Sequence, residues 1–290
     1  MSDETKKAGK INVRDISRRK GGEKLVMVTA YDHSSAVAAE AAGSDLILVG
    51  DSGGMVIMGL ESTRGVTMED MLFMCKAVSR SARNTFTICD LPFLSYQVSE
   101  EKAVVNAGRL VNEGGADAVK LEGGGIFKKT VQKITTAGIP VAGHLGLMPQ
   151  STPFWKGYGS VGRKESEIED LVHNALELQD AGIFLLVLEN VATETAEYVT
   201  SSLRIPTIGI GSGLHCNGQV LVTHDMLGLY DRFVPRFAKI YRNLLQEMTT
   251  GITEYAEEVR NGKFPQEEFT SHVPKDVREW LMNRSGRLVK

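Results

Sequence analysis

The chain is 290 residues long, 42% hydrophobic and 24% charged, a balance that fits a water-soluble protein with a substantial core. A formal net charge of −3 without any Lys/Arg run argues against nucleic acid as a partner, and no segment reaches the ~18 uninterrupted apolar residues of a membrane helix. Cys75, Cys89 and Cys216 are odd in number and lack CxxC spacing, which argues against a disulfide framework or a zinc site and fits a reducing compartment.

The opening MSDETKKAGK has no apolar stretch, and its Asp3 and Glu4 are foreign to transit peptides, so a cytoplasmic location is expected. A short helix is predicted over 13–19, ended by Gly21-Gly22. Short runs rich in Val, Ile and Leu then recur at 25–32, 46–52, 86–90, 118–124, 140–146, 184–190, 206–213 and 219–225. Near-continuous apolar character of this kind marks parallel strands buried on both faces. Helical periodicity separates them over 33–42, 67–82, 99–113, 126–137, 165–181 and 193–202. Thr67 with Asp70 three residues on reads as a capping box, and Ala-Gly or Gly-Gly pairs close several helices before the next strand.

Eight strands at a mean repeat of about 30 residues predict a (β/α)8 TIM barrel, with a doubly wound open sheet as the structural rival. Strands seven and eight are separated only by a short Gly-rich stretch, with no helix expected between them. One domain is expected over 1–290: an N-terminal helical extension over 1–23, the barrel over 24–236, and C-terminal helices and tail over 237–290. Helices in that last part are predicted near 237–248, 252–261 and 275–282, as an arm or an oligomer contact.

The polar residues gather at the C-terminal ends of the strand runs: Asp32, Asp51-Ser52, Asp90, Lys120 with Glu122, His144, Glu189, Ser212 and His224-Asp225. In a barrel these ends converge on one mouth, where active sites are built. Any one of them alone reads equally as a helix cap or loop residue, but so many acids converging need a cation. Asp51, Asp90 and Glu122 come from consecutive strands and offer only oxygen, which suits Mg²⁺ over zinc. A 2-oxo acid is then the expected substrate, with the metal as Lewis acid on its carbonyl. Lys120 shares a strand face with Glu122; it either holds the substrate or forms a salt bridge to a neighbouring carboxylate. Glu189, at the end of an apolar strand, suits a general base of raised pKa. His144 is either a donor to the substrate or a satisfied structural imidazole. The GIGSG stretch at 209–213 lacks the third glycine of a dinucleotide fingerprint, since Leu214 stands there.

The motifs MVTAYD, VGDSGGM, CDLPF, VKLEGG, GHLGLMPQS, LLVLEN, IPTIGIGSG and GQVLVTHDMLGL, in that order between about 24 and 237, resemble the ketopantoate hydroxymethyltransferase family. The resemblance implies a barrel of the phosphoenolpyruvate mutase and isocitrate lyase group. It also implies hydroxymethyl transfer from 5,10-methylenetetrahydrofolate to 3-methyl-2-oxobutanoate, giving 2-dehydropantoate for pantothenate and coenzyme A. By matching motif, Asp51 and Asp90 would bind Mg²⁺ with Glu122 in or beside its shell. Asp51, Ser52, Asp90, Lys120 and His144 would meet the oxo acid, and Glu189 would accept the proton. A ring of subunits, decamer-like, is implied as well. Where the family usually has a bulkier residue, Pro, His, Thr and Asp, this chain has Gly53, Gly65, Met74, Met148 and Asn217 respectively. The rival readings are a lyase or mutase of the same superfamily, and a catalytically idle barrel that binds a metabolite.

Overall fold

The computed structural model describes residues 9–151 and 159–285; the start of the expected N-terminal extension and the end of the tail lie outside them. Two compact units result, Met1–Arg242 and Asn243–Lys290.

In the first unit eight parallel strands close into a barrel in chain order: β1 (Leu25–Thr29), β2 (Leu46–Val49), β3 (Phe86–Asp90), β4 (Ala118–Glu122), β5 (Val141–Gly146), β6 (Leu185–Glu189), β7 (Thr207–Ile210) and β8 (Gly218–Leu221). Helices α1 (Val13–Arg18), α2 (His33–Ala41), α3 (Gly53–Val56), α4 (Met68–Ser81), α5 (Glu100–Asn112), α6 (Lys128–Thr136), α7 (Glu165–Asp180), α8 (Thr193–Ser202) and α9 (Thr223–Met226) complete it. The predicted barrel and its eight strands are borne out, as is the missing helix between β7 and β8. Closure follows from the pattern of burial. β2, β3, β4 and β7 are buried at every residue, because one face meets the barrel interior and the other meets helices.

Alternate residues therefore belong to two cores. Ile47, Val49, Val119, Leu121, Leu186 and Leu188 pack outward against Cys75, Leu110, Val131 and Leu178 of the helices. Leu46, Ile88, Ala118, Ala142, Leu185 and Ile208 point inward, and Ile16 of α1 joins them with Leu25 and Phe86. The Phe86 and Phe184 rings meet edge to face at 5.8 Å, a preferred aromatic geometry. A capping box at Asn12 and Asp15 starts α1, so the helix is set locally, and Ile16 closes the N-terminal end of the barrel. The box read at Thr67 and Asp70 is also present.

Three local readings need correction. The strand predicted to run to 225 stops at Leu221, and Thr223–Met226 turn into α9. No helix spans 237–243. Instead, Phe237 lies over Gly211, where an added Cβ would meet its ring at 2.5 Å. In the second unit, the two helices predicted on either side of Gly251 are one, α10 (Leu244–Arg260), followed by α11 (Lys275–Ser285). An interior Gly costs only about 1 kcal/mol relative to Ala, less than renucleating a helix on its far side.

Candidate active site

The inward columns change character along each strand. Ile88 is followed two residues on by Asp90, Ala118 by Lys120 and Glu122, Ala142 by His144, and Leu185 and Val187 by Glu189. Side chains alternate with period two, so the columns that fill the lower barrel with hydrocarbon present charge at the C-terminal rim. Asp51 and Ser52 come from the turn after β2 instead, where Gly53 N–H donates to Gly50 O at 3.1 Å and Gly54 N–H to Asp51 O at 2.9 Å. All seven expected site residues, Asp51, Ser52, Asp90, Lys120, Glu122, His144 and Glu189, line one cavity of about 490 Å³.

The acids and the lysine interlock. Lys120 Nζ lies 3.0 Å from Asp90 Oδ1 and 3.3 Å from His144 Nδ1. The salt-bridge alternative for Lys120 is therefore the one seen, inside the cavity. Asp51 N–H donates to Asp90 Oδ2 at 3.1 Å, tying the β2 turn to β3. His144 stands between the remaining acids, with Nδ1 3.6 Å from Glu122 Oε1 and Nε2 3.3 Å from Glu189 Oε2. The latter contact is within ion-pair range but out of line for a hydrogen bond. Tyr31 Oη and Ser52 Oγ are 2.8 Å apart, which fixes the hydroxyl at the cavity edge.

Two residues that charge alone did not reveal organise this cluster. Gln150, on the chain after β5, donates from Nε2 to Asp51 Oδ2 at 2.8 Å and to Leu91 O at 3.0 Å, while its backbone N–H donates to Glu122 Oε2 at 3.1 Å. Tyr96 Oη accepts the Glu122 N–H at 3.2 Å and lies 2.9 Å from Glu122 O and 3.0 Å from Gln150 Oε1. Gln150 closes the GHLGLMPQ stretch, and its position inside a long motif was the one available signal. Among the other strand-end residues, Asp32 caps α2 through Ser35, and Ser212 joins β6 to β7 by donating to Leu188 O and accepting from Val191 N–H. The His224 ring turns onto Tyr31, with centroids 5.5 Å apart.

The electrostatics are those of excess buried negative charge. Burial, reinforced by the charges of Asp90 and Glu122, pushes the Asp51 carboxyl well above the usual range. Burial also raises Asp90, against the pull of Lys120. Burial works against the Lys120 ammonium, but Asp90, Glu122 and Asp51 outweigh it and hold the charge on. For His144, burial and Lys120 act downward, yet Glu122 and Glu189 lift the imidazole to about 9.

Among the described residues no group of three or more His, Cys, Asp or Glu side chains could by itself hold a metal ion. A magnesium ion nonetheless suits the donors present. Three buried carboxylates face one lysine, so the Lys120 ammonium beside Asp90 Oδ1 leaves a surplus of negative charge. Mg²⁺ commonly takes one or two carboxylates and fills its octahedron with water and substrate. Asp51 and Asp90 fit that role directly. Glu122, with one oxygen on Gln150 and the other beside His144, fits in the shell or next to it.

An eight-stranded parallel barrel with a carboxylate-lined mouth and a lysine at its centre defines the chain as an enzyme of the barrel class that gathers its catalytic groups at the strand ends. Residues 10–267 match the ketopantoate hydroxymethyltransferase family, and the chain belongs to that family. It is 53% identical over 247 residues to a 3-methyl-2-oxobutanoate hydroxymethyltransferase of Moorella thermoacetica, covering 85% of this chain and 92% of the relative. A protein of the same description from Carboxydothermus hydrogenoformans is 48% identical over 261 residues, 90% and 95% of the two chains. Among solved structures, 2,3-dimethylmalate lyase, a member of the PEP mutase/isocitrate lyase superfamily, superposes with a TM-score of 0.59 at 14% identity, covering 94% of this chain and 93% of that one. A phosphoenolpyruvate phosphomutase from Streptomyces platensis subsp. rosaceus gives 0.59 at 13%, with 97% and 100% covered. At such identities these two show the fold alone. No helix among the described residues is long and apolar enough to cross a membrane.

Proposed function

We propose that the protein transfers a hydroxymethyl group from 5,10-methylenetetrahydrofolate to 3-methyl-2-oxobutanoate, giving 2-dehydropantoate for pantothenate synthesis, with Mg²⁺ at Asp51 and Asp90. The observation that carries this reading is one cavity holding an acid arc on β2–β4 and a separate carboxylate, Glu189, on β6 with His144 between them. The names of the close relatives support the substrate. When bound, Mg²⁺ supplies a Lewis acid for the keto oxygen and offsets the surplus negative charge.

The chain's own residues do the rest. Lys120, held charged by its three carboxylate neighbours, stabilises the negative charge that builds on the oxo acid as C3 is deprotonated. Ser52 Oγ, fixed by Tyr31, orients the substrate carboxylate. Glu189 takes the C3 proton, with His144 Nε2 steering its carboxylate. The carbanion carbon then attacks the one-carbon unit of the donor. Water supplies the oxygen of the hydroxymethyl group as the C–N bond to the donor breaks, and tetrahydrofolate leaves with a proton on that nitrogen. The same reading places the protein in the cytoplasm as a ring of copies, decamer-like. In support, α10 has no buried residue and leaves Met248, Ile252, Tyr255 and Val259 exposed.

The test follows loss of deuterium from C3-labelled oxo acid with Mg²⁺ and no donor, then identifies the product by mass once the donor is added. Exchange that depends on Mg²⁺ and a product heavier by one hydroxymethyl group are expected. Exchange without Mg²⁺, or cleavage of a 2-hydroxy or phosphono acid in place of addition, would overturn the reading.

A further inference from the structure

The cavity has a second wall that the chemistry above does not use. β8 stands four strands round the closed barrel from β4, so the turn after it faces the Lys120 side across the mouth. That turn is tightly fixed. Thr223 N–H donates to Thr29 Oγ1 at 2.9 Å and Thr223 Oγ1 donates to Thr29 O, while Met226 O accepts Tyr241 N–H at 2.7 Å. It carries Asp225, which lines the cavity and is only 6% exposed.

Among the described residues no hydrogen bond or ion pair reaches the Asp225 carboxylate. Arg236 lines the same cavity without pairing with it, and His224, its neighbour in sequence, is turned onto Tyr31. A buried carboxylate without a donor is costly in the free protein. Burial, opposed by nothing, pushes its pKa up to about 6. The same cavity is lined by the apolar and aromatic side chains of Val222, Phe233, Pro235 and Phe237.

A carboxylate without a protein donor, in a cavity that also carries apolar and aromatic side chains, selects its ligand. An anionic oxo acid would be repelled. A neutral, planar heterocycle with two adjacent N–H donors would satisfy both oxygens at once while its ring covers the apolar side chains. The proposed one-carbon donor has one such edge, the N3–H and 2-amino group of its 2-amino-4-oxopyrimidine ring. We propose that Asp225 is the group that recognises the reduced pterin of the donor, pairing with that edge while Phe233, Pro235 and Phe237 cover the ring. The assignment rests on the donor proposed above. It places the donor on the β8 wall, across the mouth from the oxo acid.

The experiment titrates tetrahydrofolate against the wild-type protein and Asp225→Asn, and measures steady-state KM for both substrates. Losing a charge-assisted bond of this kind corresponds to a loss of about ten- to a hundred-fold. The variant should therefore bind tetrahydrofolate that much more weakly and show a matching rise in donor KM, with the KM for the oxo acid little changed. Its Tm should be equal to or above that of the wild type, because an unsatisfied buried charge is gone; a residue kept for structure would lower it. A tetrahydrofolate analogue lacking the 2-amino group gives the same reading without a variant, binding the wild type more weakly and losing little further against Asp225→Asn. Equal tetrahydrofolate affinity in the wild type and variant overturns the Asp225 assignment and leaves the donor standing. No tetrahydrofolate binding by the wild type overturns the donor and this assignment together. A rise confined to the oxo acid KM places Asp225 on the other substrate and also overturns it.

Discussion

The two ends of the barrel interior are built from the same strands and the same inward columns, yet they serve opposite purposes. At the N-terminal end Ile16, Leu25, Leu46 and Phe86 belong to one buried apolar cluster. Two or four residues further along, Asp90, Lys120, Glu122, His144 and Glu189 crowd charge into a space almost as buried. The first arrangement releases free energy through burial. The second costs free energy, and it persists because the layer beneath and the helices around it over-determine the fold. Hydrocarbon and charge are thus separated along a single direction in space, two or four residues apart on the strands that carry both.

That comparison is broken most strongly at the rim. Glu189→Gln should lower C3 exchange by about 10²- to 10⁴-fold with Tm nearly unchanged, and exchange at the wild-type rate would remove Glu189 from its role. The reciprocal change is Phe86→Ala, which should cost about 3–5 kcal/mol of stability while the folded fraction keeps its kcat; denaturant melts and active-site titration together read both. Gln150→Leu sits between the two. Loss of the donor to Asp51 should weaken Mg²⁺ binding about 10- to 100-fold, as for other groups that orient metal ligands, and calorimetry showing unchanged affinity would make Gln150 a packing residue only.

A smaller effect is expected from pH. The folded Asp225 pKa, about 6, lies above the ~3.9 of an unfolded Asp. Its contribution to stability is therefore full below about pH 4 and lost as pH rises through about 6. The difference in Tm between Asp225→Asn and wild type should grow in the variant's favour between pH 5 and 7.5, and a constant difference would count against an unpartnered carboxylate.

The fold was readable because near-continuous apolar runs of strand length and Ala-Gly punctuation are local signals that the barrel obeys. The charged residues of the columns were readable for a related reason: charge that ends an apolar run is carried into a buried rim, where it is too costly to keep without a partner or a ligand. Gln150 was not, since an uncharged side chain in a loop carries no periodicity, and its importance comes from touching Asp51 and Glu122, 99 and 28 residues away in sequence. Asp32 and Ser212 failed in the opposite sense. They satisfy the strand-end pattern, yet local geometry claims their oxygens for a helix cap and a strand junction. The first helix of the tail was started at 237 and not at Leu244 because amphipathic spacing cannot tell Phe237 as a cavity wall from Phe237 as a helix stripe.

Gly53 and Met74 read along the chain as two separate departures from the family, one in a loop and one in a helix. In space they are a single exchange. A Cβ on Gly53 would sit 2.6 Å from Met74 Sδ and 2.8 Å from Tyr31 Cδ1, so the thioether occupies room that a larger residue at 53 would claim. The turn carrying Asp51 and Ser52 therefore rests on a pliable sulfur cushion: a side chain at 53 would need the Met74 thioether and the Tyr31 ring to move aside together.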